Sequence, residues 1–181
     1  MSNRYEPCSS SRVTLRRPRR LRSFSYRGKY SYFVTFCTHD RRDAFTSPER
    51  VECARFEILR TCSERRFAVP AGAFMSDHVH LLVRGLDEES DFKSCMKLVR
   101  QRSSCAFRST FEERLWQDGF FDHVVRDADD ERRVIRYILE NPVRAELSGR
   151  AAEYSYSWAP TATFAARNFS SAPEPPESPH G

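Results

Sequence analysis

Two short stretches of this chain hold residue types that could do chemistry. The first is His78-Val79-His80, at the start of HVHLLV. Side chains alternate between faces in a strand, so both imidazoles would point to one side while Val79, Leu81 and Val83 point to the other. Two imidazoles on one face can hold a divalent cation, and a third ligand from elsewhere would complete a partly open site. The same pattern also suits two ordinary cross-strand histidines. The second stretch is RYILENPVRAEL, where Tyr137 and Asn141 stand four residues apart and so share one face of a helix. Taken alone, Tyr137 equally suits a core aromatic, and Asn141 before Pro142 a turn-forming residue.

The elements that must position these side chains can be read from periodicity. Residues 30–38 (YSYFVTFCT) are aromatic and β-branched, as a buried strand requires. Helical spacing through Val51, Ala54, Phe56, Ile58 and Leu59 marks a first long helix over 49–66, with Ser47 or Ser63 as capping or ending residues. Residues 67–75 (FAVPAGAFM) read as a strand, with Pro70 pointing to an edge or a bulge. His78 to Val83 is a second strand ended by Gly85. A second helix runs from Asp87 to about Ser109, with acids expected in its first turn. Residues 120–125 form a short aromatic strand. A third helix, from Asp127 to Asn141, opens on an acidic run and is closed by Pro142, with Val134, Ile135, Ile138 and Leu139 holding it to the sheet. The order β-α-β-β-α-β followed by one helix predicts an α+β fold: a ferredoxin-like antiparallel sheet with helices on one face and an additional C-terminal helix.

Composition narrows the function classes. The 181 residues suit one domain. Residues 1–27 read as a basic flexible arm, 28–158 as the working domain, and 159–181 as a Pro/Ser/Ala-rich tail too polar to order itself. No apolar run approaches a membrane helix and the first segment lacks a secretory signal, so a cytoplasmic protein with no membrane partner is expected. The six cysteines never come closer than nine positions, which excludes a CxxC pair and favours buried reduced thiols. The six dispersed glycines spell neither a P-loop nor a dinucleotide fingerprint, so no nucleotide cofactor is expected. The net charge of +5 is concentrated. Between Arg12 and Lys29 lie eight basic residues and no acid, leaving the rest of the chain at −3. Such a segment follows phosphate backbones, and its arginines can also read base edges.

Taken together, FMSDHVHLLV, LWQDGFFDHVVRDADD and RYILENPVRAEL, with the upstream RRPRRLRSF and YSYFVTFCT, resemble the single-tyrosine transposases of the HUH class, and within it the REP-associated tyrosine transposases of bacteria. The resemblance spans roughly residues 16 to 158. It implies a ferredoxin-like sheet with a catalytic helix, His78 and His80 as ligands of Mg²⁺ or Mn²⁺, Asn141 as the third ligand, and Tyr137 as the nucleophile. It also implies a DNA substrate that is single-stranded and folded as a hairpin from repetitive extragenic palindromes. Cleavage would leave a 5′-phosphotyrosine and a free 3′-hydroxyl. Arg16, Arg17, Arg19, Arg20 and Arg22 would then touch DNA, Arg144 would contact phosphate or pack locally, and Trp116 or Phe120 could stack on unpaired bases, with hydrophobic core the competing place for at least one of the two. The chain departs from the group at Ser76, where proline is usual, and at Glu146, where glycine is usual.

Three readings remain open. The first is a transposase acting as monomer or homodimer. The second is a relaxase or replication initiator, for which the chain has little room. The third is a non-catalytic DNA- or RNA-binding regulator on the same fold, since fold alone does not fix function.

Overall fold

The structure is a computed structural model and describes residues 24–160. The arm arginines Arg16, Arg17, Arg19, Arg20 and Arg22, and residues 161–181 of the expected tail, lie outside the described residues. The expected order of elements is present: β1 (Ser31–Cys37), α1 (Pro48–Glu64), β2 (Phe67–Phe74), β3 (His78–Gly85), α2 (Phe92–Phe111), β4 (Phe121–Val125) and then α3 (Ala128–Arg144). The strands pair antiparallel in the order β4-β1-β3-β2, the ferredoxin-like arrangement. A short β5 (Ser157–Trp158), absent from the sequence reading, extends the β2 edge.

Because β1 and β3 are interior strands, each must be covered on both faces, and their alternating side chains fill two separate cores. Tyr32, Val34, Phe36, Val79, Leu81 and Val83 face α1 and α2, where they meet Ile58, Cys62, Met96, Val99 and Phe107. Phe33, Leu82, Ala71, Ala73 and Val125 face α3, where they meet Val134, Ile135, Ile138 and Leu139. The register sets Thr35 opposite His80 and Cys37 opposite His78 on the α3 side. The sheet therefore buries one face of β3 completely while turning both histidines toward α3.

Several expectations need correction. Phe24 to Arg27 are not the end of a loose arm: Tyr26 is buried, its ring stacks on Tyr32 and Phe92, and Arg27 bridges to Asp91. The first turn of α2 holds no acid. Asp87, Glu88 and Glu89 belong to the preceding turn, where the Ser90 hydroxyl accepts from the Leu86 and Asp87 amides and donates to the Arg66 carbonyl. The negative charge that favours the helix start comes from Asp91, the N-cap, whose carboxylate accepts from the Ser94 amide. Pro142 does not close α3 but lies inside it. Pro142 removes the amide that would bond the Ile138 carbonyl, yet the helix runs on past it, the Ala145 amide donating to the Asn141 carbonyl. The Asn141 amide donates to the Tyr137 carbonyl at 2.7 Å. The Arg144 guanidinium donates to the same carbonyl at 3.2 Å. Pro70 behaves as expected, since the β2–β3 register shifts between Ala68 and Ala71. At Gly72 an added Cβ would fall 2.4 Å from the Trp158 ring, so only glycine lets that indole lie on the sheet and seat β5.

Trp116 is also corrected. It is a core residue, 3 % exposed, packed on Phe36 and Phe45, and its indole N–H donates to the Ser103 hydroxyl. A ring so enclosed offers no face to a DNA base. Trp116→Phe should therefore lower stability by about 1–2 kcal/mol through the lost hydrogen bond, read from urea denaturation, and leave hairpin affinity unchanged. Phe120 is partly buried against the same core, edge-on to Phe36.

The start of α3 is held by Asp127, whose carboxylate accepts from the amides of Asp129 and Asp130. Those bonds, the Asp130 amide foremost, keep its pKa below the usual 3.8 despite some desolvation, with help from the charges of Arg133 and Arg132. The folded pKa lies below the unfolded one. The cap thus contributes fully above the ordinary carboxylate range and is lost as pH falls through the depressed value. Asp127→Ala should lower the melting temperature at neutral pH, and the deficit should shrink in melts recorded below pH 3.8.

Candidate active site

The site lies where the His78 end of β3 passes under α3. It is built from one strand face and one helix face. His78 and His80 project from β3 because the strand alternation that buries Val79 and Leu81 leaves them no other side. Tyr137 and Asn141 project from α3 because the residues between them, Ile138 and Leu139, are drawn into the core below. All four side chains are less than a tenth exposed or at that limit.

The two imidazoles meet through their Nε2 atoms, 3.1 Å apart. Each ring is oriented from behind. His78 Nδ1 lies 2.5 Å from Asp77 Oδ1. A carboxylate can only accept, so His78 donates from Nδ1, and in the neutral ring that leaves the lone pair on Nε2. His80 Nδ1 lies 2.8 Å from the Thr35 hydroxyl. His80 also hydrogen-bonds the Asn141 side chain, which brings strand and helix together. Burial holds His80 well below its ordinary 6.5, with the charges of His78, Arg144 and Arg41 adding to the effect and the Asn141 bond opposing it. The ring is therefore neutral at pH 7. The Asp77 carboxylate stays ionised: burial would raise its pKa, but the His78 hydrogen bond and the charges of His78 and Arg41 outweigh that and lower it.

Tyr137 sits edge-on to His80 and Phe33, with ring centroids 5.5 and 5.6 Å away. The Arg144 guanidinium lies over its ring at 4.6 Å while donating to the Tyr137 carbonyl. Arg144, expected to contact phosphate or pack locally, thus packs on the tyrosine and remains an exposed residue beside it. His123, on β4, pairs with Asp130 of α3, 3.3 Å from its carboxylate.

The donor set can hold a divalent cation. Two imidazoles converge, each held through its second nitrogen as metal-ligating histidines are, and an amide side chain adjoins them. Among the described residues no group of three or more His, Cys, Asp or Glu side chains could hold a metal. Beside the histidine pair, the Asn141 side chain carries a neutral oxygen.

Sequence reasoning brought His78, His80, Tyr137 and Asn141 to one place. It missed Asp77, Thr35 and Arg41. Asp77 directly precedes the first histidine, a signal that could have been taken; Thr35 becomes visible only once the β1–β3 register is known. Of the two departures, Glu146 adopts a φ of 57°. That is the left-handed backbone that glycine takes without strain. Ser76 keeps its carbonyl in a bond from the Phe45 amide.

Among the described residues no helix is long and apolar enough to cross a membrane. Comparison with known proteins agrees with the geometry. A REP-associated tyrosine transposase of Escherichia coli is 22% identical over 129 residues, covering 70% of this chain and 74% of the relative. A Haemophilus influenzae protein, described as a putative REP-associated tyrosine transposase, is 24% identical over 142 residues, covering 70% and 77%. The solved structure of a REP-associated tyrosine transposase bound to a REP hairpin shares the fold, with a TM-score of 0.64 at 22% identity over 76% of this chain and 80% of that one. The family described as "Transposase IS200 like" matches residues 26–141, which include both histidines, the tyrosine and the asparagine, and the chain belongs to that family.

Proposed function

We propose that the protein cleaves and rejoins single-stranded hairpin DNA of the REP type, with Tyr137 as nucleophile and His78, His80 and Asn141 as ligands of Mg²⁺ or Mn²⁺. The observation that carries this reading is the convergence of the two Nε2 atoms at 3.1 Å beside the tyrosine and asparagine of α3. When bound, the cation polarises a phosphodiester oxygen and offsets the charge that builds in the displacement.

The chain's own residues do the rest. Phe33, His80 and Arg144 hold the Tyr137 ring on three sides, which limits the directions in which its Oη can reach a phosphorus atom. A free phenol titrates near pH ~10, so its proton must leave as the bond forms. Attack by Oη forms a P–O bond to tyrosine and breaks the P–O3′ bond, and the leaving 3′-oxygen takes up a proton. The 5′-phosphotyrosine keeps the phosphodiester energy, so a 3′-hydroxyl can reverse the step without ATP. Arg144, exposed next to the phenol, is placed to meet the phosphate charge. Arg16, Arg17, Arg19, Arg20 and Arg22 would hold the strand outside the site through backbone phosphates. A hairpin partner is supported by the solved relative, whose structure holds a REP hairpin.

The test uses a REP-type hairpin oligonucleotide labelled at one end or the other. With Mn²⁺ or Mg²⁺, a 3′-end label should become covalently attached to the protein and a 5′-end label should be released on a shorter strand; EDTA should prevent both. Hairpin binding without any cleavage, and indifferent to metal, would replace this reading with that of a non-catalytic regulator.

A further inference from the structure

The loop between β1 and α1 is assembled around one residue of the β2–β3 turn, Asp77. Thr38, fully buried, donates its amide to the Asp77 carbonyl at 2.9 Å, and its hydroxyl, whose one proton two carbonyls share, lies 2.9 Å from the same oxygen. The same hydroxyl reaches the Arg42 carbonyl at 2.7 Å, closing the loop on itself. Between those anchors Asp40 and Arg41 both take left-handed backbone, with φ of 55° and 56°. Non-glycine residues adopt that conformation only under constraint. It turns the Arg41 side chain back toward the sheet. There its guanidinium pairs with Asp77 Oδ2 at 3.0 Å and also donates to the Cys37 thiol, while Asp77 Oδ1 holds His78 Nδ1. The Arg41–Asp77 pair is largely shielded from water, with side chains 29 % and 20 % exposed. Arg41 is therefore linked through one carboxylate to the ring that faces His80.

We propose that Arg41 is a positioning residue: by fixing the Asp77 carboxylate it keeps the His78 proton on Nδ1 and the Nε2 lone pair aimed at the cation site. The inference rests on the assignment of His78 and His80 as metal ligands. A partner of a ligating histidine typically changes metal affinity about 10–100-fold when removed. Arg41 acts one link further back, so its effect should lie at the lower end and run wholly through Asp77.

The experiment measures Mn²⁺ affinity of the full chain by titration calorimetry in wild type, Arg41→Ala, Arg41→Lys, Asp77→Ala and the Arg41→Ala/Asp77→Ala double variant. It also records ¹⁵N imidazole spectra of the metal-free proteins. Arg41→Ala should weaken Mn²⁺ binding by about tenfold, Arg41→Lys should recover part of the loss, and the double variant should bind no worse than Asp77→Ala. Metal-free His78 should be protonated on Nδ1 in wild type and should lose that preference in Arg41→Ala. Unchanged Mn²⁺ affinity in Arg41→Ala, or a full additional loss in the double variant, would overturn the proposal. If wild type takes up no Mn²⁺, the metal reading itself fails, and an unaltered His78 tautomer in Arg41→Ala then refutes the positioning role separately. Should Arg41→Ala unfold, Arg41→Gln, which keeps a donor and removes the charge, is compared with Arg41→Lys by the same two readouts.

Discussion

Tyr137→Phe is expected to abolish covalent attachment to a REP-type hairpin and to leave folding and hairpin affinity in place. The substitution removes one oxygen. The ring that packs edge-on to Phe33 and His80 and under Arg144 stays, so the α3 core should hold. Because the phenol oxygen is the atom that would carry the DNA, no neighbouring group can substitute for it: His80 is buried against Thr35 and Asn141, and Arg144 has no nucleophilic form at neutral pH. The adduct should fall below detection on a denaturing gel, while a gel-shift assay records binding within about a factor of two of wild type. Residual adduct at the wild-type level would remove Tyr137 from the reaction.

The second large effect is expected at His80. It is the more deeply buried imidazole and the one that links all parts of the site, touching Thr35, His78, Asn141 and the Tyr137 ring. His80→Gln retains much of the volume and a partner for the Thr35 hydroxyl but removes an aromatic nitrogen ligand. A cation's support of a transferring phosphoryl group is worth several kcal/mol, so adduct formation should slow by on the order of 10²–10³-fold. Excess Mn²⁺ should recover part of that loss. Hairpin binding measured in EDTA should not change, because the histidines would meet the DNA only through the metal. A variant that cleaves at the wild-type rate would show that His80 serves the core and not the chemistry.

Much of this was legible in the sequence because local pattern and global fold agree. The alternation in HVHLLV placed both imidazoles on the face opposite Val79 and Leu81, and the structure buries those two against α1 and α2. The apolar spacing of Val134, Ile135, Ile138 and Leu139 likewise fixed which side of α3 meets the sheet, and with it the side that carries Tyr137. The misses share a physical origin in contacts that local pattern does not encode. Tyr26 looks like part of a basic arm until Tyr32 and Phe92 stack on it. Trp116 reads as a DNA-facing aromatic until the Ser103 hydroxyl claims its indole. Pro142 ends a helix by local rules, yet α3 runs on through it, with the Ala145 amide bonded to the Asn141 carbonyl. β5 has only two residues and depends on the space left at Gly72, which no periodicity can register. Arg41 carries no pattern at all; its place follows from the strained loop that wraps Asp77.

The central claim is that Tyr137 becomes joined to DNA, and peptide mapping of the adduct tests it most directly. Wild-type protein is incubated with the hairpin and Mn²⁺, the DNA is trimmed with nuclease, and the protein is digested with trypsin for mass spectrometry. Cleavage after Arg136 and Arg144 yields YILENPVR, residues 137–144, and this peptide should carry the nucleotide mass through a phosphotyrosine bond at Tyr137. A nucleotide on any other peptide, or an unmodified YILENPVR in protein that has cleaved the hairpin, would contradict the account.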